Sequence, residues 1–440
     1  MTYPEAIKYL GFFIDYEKIP AYPYSESLKL SRIKDFLVTL DNPQDRLKCI
    51  HVAGSKGKGS TCAFVTYILR EAGYKVGLYT SPHLSDFRER IRILNSRQAQ
   101  DQDSFEGMIS RKELACLVEE LKPAVEKYNK DSKYGPLSFF EVYTALAFIY
   151  FNRKGVDLAV LETGLGGRLD ATNVINPLVC AITPISYEHT QKLGNTLKEI
   201  ASEKAGIIKI KDSIVISALQ EKEAMEVIRN KCKLLGAKLY EAGRDITYKK
   251  INHSFNVKGI FGEYRDLKIR LPGEHQLLNA AVAIGAIEAL RAFNIKVPSD
   301  SIKNGLYNTV WPARCETISR NPSVVLDGAQ NIASARALRD AIKNYFKYKK
   351  LILVLGISSD KDIKGICSEL HDLADAVVLT RASNPRATDP KILAGCFNSK
   401  PVYITKNVKQ AAYKSKSLAK KEDLILVTGS LFVAGEFRNE

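Results

Sequence analysis

The sequence of 440 residues predicts an α/β protein built as a P-loop-type, mostly parallel sheet domain followed by a smaller Rossmann-like α/β domain. Three observations predict it. Short β-branched runs alternate with helix-length amphipathic stretches along most of the chain. One run, CIHVA (49–53), opens into the glycine-rich loop AGSKGKGST (53–61) and then the helical pattern CAFVTYILREAG. A polar, proline-bearing break, NIKVPSD, falls before a second alternating set.

In order, strands are expected at CIHVA, VGLYT (76–80), DLAVLE (157–162), VCAITPI (179–185) and SIVIS (213–217). Residues 237–272 alternate polar and apolar over short stretches broken by turns, which predicts an antiparallel flap on the first domain. A helix is expected over 275–293. The second set comprises VVLD (324–327), LILVLGI (351–357), AVVLT (376–380), PVYIT (401–405) and LILVTGS (424–430). The expected domains are 1–296 and 297–440, with an active site in the cleft between them. Residues 95–112, NSRQAQDQDSFEGMISRK, read as a mobile surface loop.

Composition narrows the class. No run of eighteen apolar residues occurs, so no membrane span is expected, and the N-terminal stretch, with Asp15 and Glu17 interrupting its apolar patch, does not read as a signal peptide. Eight cysteines are scattered without a C-x-x-C spacing, which fits reduced thiols in a cytoplasmic protein and argues against a zinc site or a disulfide framework. Lysine and arginine outnumber the acids by 65 to 49, giving a net charge of +16 and a pI of about 9.3. That surplus favours anionic partners, but it is spread along the chain without an interleaved aromatic platform; small anionic substrates are expected rather than nucleic acid. With no heptad pattern, the chain is expected to be a monomer.

The glycine loop departs from G-x-x-x-x-G-K-[ST]: Val52 stands where the first glycine would be and Gly59 where the hydroxyl residue would follow Lys58. Its setting between strand and helix is nevertheless the one a phosphate loop requires. Gly54, Gly57 and Gly59 let successive N–H groups face one point, Lys58 can reach outer phosphates, and Ser60 or Thr61 can face a Mg²⁺. Glu162 ends a buried strand and is followed by a glycine turn, a position suited to a metal that bridges phosphates. His189, beyond another strand end, reads equally well as a structural histidine. Lys204, in EKAGIIK, reads on spacing alone as a lysine facing solvent.

Taken together, GSKGKGS, YTSPHLSDFRERI, FFEVYTALAF, LETGLGGRLDATN, EKAGIIK, LPGEHQLLNAAVA, WPARCE, LDGAQN and VTGSLF resemble, in order, the motifs of the folylpolyglutamate synthase and dihydrofolate synthase family, relatives of the Mur-type ligases. The resemblance implies ATP-driven ligation of L-glutamate to a folate carboxylate, and also to dihydropteroate, through an acyl phosphate. The rival readings are a Mur-type ligase acting on a cell-wall precursor and a non-ligase P-loop ATPase. It implies that Lys58 and the backbone of Gly57 to Ser60 hold the β/γ-phosphates. Ser81 and Glu162 would hold one Mg²⁺ and His189 a second, with Lys204 carbamylated as a further metal ligand. Asn279, Arg314 and Asp327 would serve ATP, and Gln330 and Ser430 the incoming glutamate. Two departures stand out. DGAQNI places Gln330 and Ile332 where the family usually has histidine and proline, and WPARCE carries Ala313 where glycine is common, a change read as one of packing.

Overall fold

Strand β1 (Cys49–Ala53) is buried at every position and lies at the centre of a seven-stranded sheet. A strand covered by helices on both faces carries an uninterrupted apolar run, which is why CIHVA shows no alternation. The computed structural model describes residues 1–19, 22–95, 105–211 and 213–440. In that sheet β1 is joined by β2 (Val76–Tyr79), β3 (Ile91–Leu94), β4 (Leu158–Glu162), β5 (Val179–Ile182), β6 (Ile214–Ser217) and β7 (Lys238–Glu241). The order is β3-β2-β4-β1-β5-β6-β7, parallel throughout except for β2 with β3. The chain leaves β1 toward one edge of the sheet and β4 toward the other. Their carboxyl ends therefore open on the kind of crevice in which α/β sheets bind ligands.

Local chemistry sets the helix ends. The helix Phe139–Lys154 starts at Ser138, whose hydroxyl and Glu141 form a reciprocal capping box, and stops at Gly155, with φ +59°. Thr196 caps Leu197–Ala205 in the same way. The helix His275–Ala289, with its extension to Phe293, is long and apolar enough to cross a membrane, but 78% of it is buried inside the protein, where it forms part of the core.

Three strands, β8 (Thr247–Ile251), β9 (Ser254–Lys258) and β10 (Glu263–Leu267), form an antiparallel meander. The expected flap is thus shorter than 237–272: β7 pairs in parallel with β6 and belongs to the main sheet.

The second sheet contains β11 (Glu316–Arg320), β12 (Ser323–Leu326), β13 (Leu351–Leu355), β14 (Ala376–Leu379), β15 (Val402–Ile404) and β16 (Leu424–Thr428), in the order β11-β12-β16-β13-β14-β15. Only β11 runs antiparallel to its neighbour.

The chain divides into two units, one of Met1–His83, Phe87–Arg270 and Gln276–Thr309, the other of Leu84–Asp86, Leu271–His275 and Val310–Glu440. The change at Thr309 differs from the expected boundary after residue 296. The helix Ser299–Asn308 stays with the first unit because Gly305 lies against the backbone of Ile68, and Ser301 Oγ donates to Glu71 O at 3.3 Å. Of the expected loop at 95–112, residues 96–104 lie outside the described residues. The part that follows is packed rather than loose, since Gly107 O accepts from Ile93 N at 2.7 Å and Ile109 is fully buried.

Candidate active site

The loop after β1 is shaped by two glycines that no other residue could replace without displacement. Gly54 has φ +147°, and a Cβ there would overlap Thr183 Oγ1 and press on the Thr183 carbonyl. Gly57 has φ +83°, and a Cβ would overlap the side-chain amide of Asn279. Asn279 is itself buried and held by a bond from its Nδ2 to Gln276 Oε1 at 2.9 Å. The loop is fastened to the segment after β5: Ser55 N and Lys56 N both donate to Pro184 O, at 3.0 and 3.2 Å, and Ser55 Oγ donates to Ser186 O at 3.0 Å. Gly57 then caps the helix Lys58–Glu71. The first N–H groups of a helix have no intrahelical acceptor, so Lys58, Gly59 and Ser60 begin a turn with positive polarity at the sheet's carboxyl edge.

Two lysines converge on this loop. Lys58 Nζ donates to Gly54 O at 3.1 Å, and Lys204 Nζ donates to the same oxygen at 2.8 Å. Lys204 comes from the last turn of Leu197–Ala205 and is 1% exposed, contrary to the solvent-facing placement its spacing suggests. It also donates to Glu188 Oε1 at 2.8 Å. Burial draws the Lys204 amine below the usual lysine range, with Glu188 opposing and Lys58 reinforcing that fall. Burial works to raise the Glu188 carboxyl, yet Lys204, Lys58 and His189 hold it below the usual carboxylate range. His189 follows directly, at φ +47°, and caps the short helix Thr190–Leu193.

Glu162 ends β4, 6% exposed, and its Oε2 accepts the Ser81 N–H at 3.3 Å, so these two expected metal residues are neighbours. Thr61 Oγ1 is buried at the start of the loop's helix without a hydrogen-bond partner among the described residues. Behind Glu162, Asp170 ties down the glycine turn: Oδ2 accepts from Gly164 N and Leu165 N, both at 2.9 Å, and Oδ1 from Thr172 N at 3.0 Å and Thr172 Oγ1 at 2.5 Å. Among the described residues, no three His, Cys, Asp or Glu side chains cluster tightly enough to cage a metal by themselves.

In the second unit, Arg314 lies between Ala313 and Cys315 in the loop before β11, and Asp327 follows β12. Asp327 Oδ2 accepts from Cys315 N at 2.9 Å and Oδ1 from Ala329 N at 2.8 Å. Burial raises its carboxyl, while Arg314 opposes the rise. Gln330 is half-buried, its N–H donating to Ser334 Oγ at 3.1 Å, just before the helix Ile332–Tyr345. Ser430, beyond β16, accepts the Phe432 N–H at 3.2 Å and lines a small cavity with Ser358, Arg381 and Asn384. Ala313 corrects the sequence reading: its φ is +54°, so the substituent found where glycine is common strains the backbone rather than merely altering packing.

The Mur ligase middle domain matches residues 129–287, and the glutamate ligase domain of Mur ligases matches residues 313–431. The chain is also 34% identical over 426 residues to the dihydrofolate synthase/folylpolyglutamate synthase of Bacillus subtilis, spanning 93% of this chain and 94% of that one. The chain belongs to the folylpolyglutamate synthase/dihydrofolate synthase family. Within it, the Lacticaseibacillus casei folylpolyglutamate synthase is 31% identical over 445 residues, covering 100% of this chain and 98% of that one. The structure of Mycobacterium tuberculosis folylpolyglutamate synthase complexed with ADP matches with a TM-score of 0.87 at 31% identity, over 99% of this chain and 97% of that one. E. coli FolC in complex with DHPP and ADP matches with a TM-score of 0.82 at 28% identity, over 100% and 97%. Sequence reasoning overlooked Glu188 and Asp170: the first adjoins His189 in EHT, and the second stands inside the quoted GRLDATN.

Proposed function

We propose that this protein uses ATP to form an amide between the carboxylate of a folate and the amino group of L-glutamate, and that it glutamylates dihydropteroate by the same route. The observation that carries the reading is Lys58, whose Nζ lies on the Gly54 carbonyl beside a glycine-shaped helix N-terminus, a placement of positive charge suited to a nucleotide's phosphates. Asn279, packed on Gly57, would contact the same nucleotide, and Arg314 and Asp327 are proposed to serve ATP as well.

The donor set beside the loop suits Mg²⁺. Glu162, Ser81 and the unsatisfied Thr61 hydroxyl are hard oxygen ligands. Two ions are proposed, one near Ser81 and Glu162, the other near His189. Magnesium would neutralise phosphate charge during transfer. Lys204, desolvated and paired with Glu188, the residue before His189, is the residue that would carry a carbamate, its neutral amine adding to CO₂ after it gives up its proton and leaves Glu188.

The chemistry follows from need. A carboxylate is a poor electrophile, and phosphorylation by ATP turns its oxygen into a leaving group. Lys58 and Arg314 balance charge while the phosphoryl group moves, and glutamate's amine then displaces phosphate. Gln330 and Ser430 would orient the amino acid; glutamine donates a hydrogen bond to a carboxylate but cannot become cationic.

The test is product mass after incubation with ATP, Mg²⁺ and L-glutamate, in parallel with 7,8-dihydropteroate and with a reduced monoglutamyl folate. A glutamyl unit added to both is expected. Addition to one alone would restrict the activity to that step, and addition to neither would favour a cell-wall precursor as the acyl substrate.

A further inference from the structure

Arg314 sits in an uncommon backbone setting: the residues on both sides of it, Ala313 and Cys315, have φ of +54° and +48°. Two left-handed non-glycine residues in a three-residue stretch persist only where their surroundings over-determine them. The surroundings here are explicit. Cys315 N donates to Asp327 Oδ2 at 2.9 Å, Gly328 N to Ala313 O at 3.0 Å, and Arg314 Nη1 to Ala313 O at 2.9 Å. A further tie is Ala313 N to Glu316 Oε2 at 3.0 Å. That same carboxylate oxygen pairs with Nη1 of Arg438, the final residue of the helix Leu431–Arg438. Both partners are largely buried, with side chains 16% and 17% exposed. The helix reaches the Arg314 neighbourhood at its other end as well, because a Cβ on Gly328 would meet both the Arg314 guanidinium and Leu431.

We propose that Arg438 is a positioning residue for Arg314: through Glu316 it fixes the Ala313 end of the strained loop, so that the Arg314 guanidinium is presented in one orientation. Held by Arg438, the Glu316 carboxylate has a rotamer that also accepts the Ala313 N–H. Without the guanidinium, water competes for that carboxylate and the loop gains freedom to relax its φ values. The inference rests on the reading of Arg314 as a residue serving ATP.

The test compares the unaltered enzyme with Arg314→Ala, Arg438→Ala, Arg438→Lys and the double variant Arg314→Ala/Arg438→Ala. The readouts are kcat and the ATP and glutamate KM values of folate-dependent ADP release, with melting temperature alongside. Arg438→Ala is expected to lower kcat/KM for ATP about tenfold, the scale of a misplaced catalytic group, and Arg438→Lys to recover most of it. On the Arg314→Ala background, Arg438→Ala should cost less than about twofold more, because the group it positions is gone. Equal losses on both backgrounds, or full activity in Arg438→Ala, would overturn the proposal. Normal turnover by Arg314→Ala would instead bring down the reading of Arg314 on which it stands. Should Arg438→Ala fold poorly, Glu316→Gln keeps an acceptor for Ala313 while removing the ion pair, and the same non-additivity with Arg314→Ala is expected.

Discussion

Lys204 Nζ lies 2.8 Å from Glu188 Oε1 and the same distance from the carbonyl of Gly54, so one buried ammonium joins the glycine loop to the residue preceding His189. A buried ion pair adds little net stability because both charges must be desolvated, yet removing one member leaves the other uncompensated. The contact therefore acts chiefly to fix geometry: it sets the height of the loop against the helix Leu197–Ala205.

Glu188→Ala is accordingly expected to destabilise the protein by about 3–5 kcal/mol, measured by urea denaturation. The same change made in a Lys204→Met background should cost much less, since no unpaired cation remains. A loss below about 1 kcal/mol in the first variant would mean that the pair contributes nothing to holding the loop.

Gly54→Ala should weaken ADP binding by more than about tenfold, because both its φ and the Thr183 side chain exclude a methyl group and the displaced loop carries the N–H groups proposed to face the phosphates. Calorimetric titration with ADP measures this. Adding Thr183→Ala should restore only part of the affinity, as the Thr183 carbonyl also presses on the new Cβ. Unchanged affinity in Gly54→Ala would remove the loop from the nucleotide site.

These sites were legible in the sequence to different degrees. CIHVA, DLAVLE and LILVTGS announce buried parallel strands because both faces are covered, and the glycines of the loop are recognisable because a strand-to-helix turn needs them. β3 escaped notice because Arg92 within it and Arg90 just before it, both 1% exposed, give the stretch a charged appearance; Arg90 is buried through its pair with Glu17 and Arg92 through a bond to Glu106 O. β11 is an edge strand exposed along most of its length, so it carries no apolar run. Lys204 could not be placed by spacing, since only tertiary structure brings it to Glu188. The helix Ser299–Asn308 was separated from its domain by a proline break whose tertiary partner, the helix Lys58–Glu71, is remote in the chain.

Ala313→Gly is expected to stabilise the protein by about 0.5–1 kcal/mol, because glycine adopts the left-handed conformation without the steric penalty that alanine bears. A rise in melting temperature at neutral pH checks it. A fall would mean that the fully buried methyl group contributes more through packing than the backbone loses in strain.

His51 supplies a pH dependence that can be isolated. It is fully buried in β1, and burial, with Lys209 adding, lowers its pKa to about 3 from 6.5. Its Nε2 lies 2.8 Å from Thr172 Oγ1, which donates onward to Asp170, so the ring is neutral and carries its proton on Nε2. In the unfolded chain His51 takes up a proton below about pH 6.5. In the fold it stays neutral until far lower pH, so the unfolded state binds more protons across the window from 6.5 down to 3. The stability His51 permits is complete above pH 6.5 and declines as pH falls, by about 2 kcal/mol at pH 5. Glutamine at this position can still donate to Thr172 but does not titrate. The loss of unfolding free energy between pH 7.5 and pH 5 should therefore be about 2 kcal/mol smaller in His51→Gln than in the unaltered protein, measured by urea denaturation at both values. Equal losses in the two proteins would mean that His51 takes up a proton in the fold as readily as in the unfolded chain, so that burial does not exclude the imidazolium.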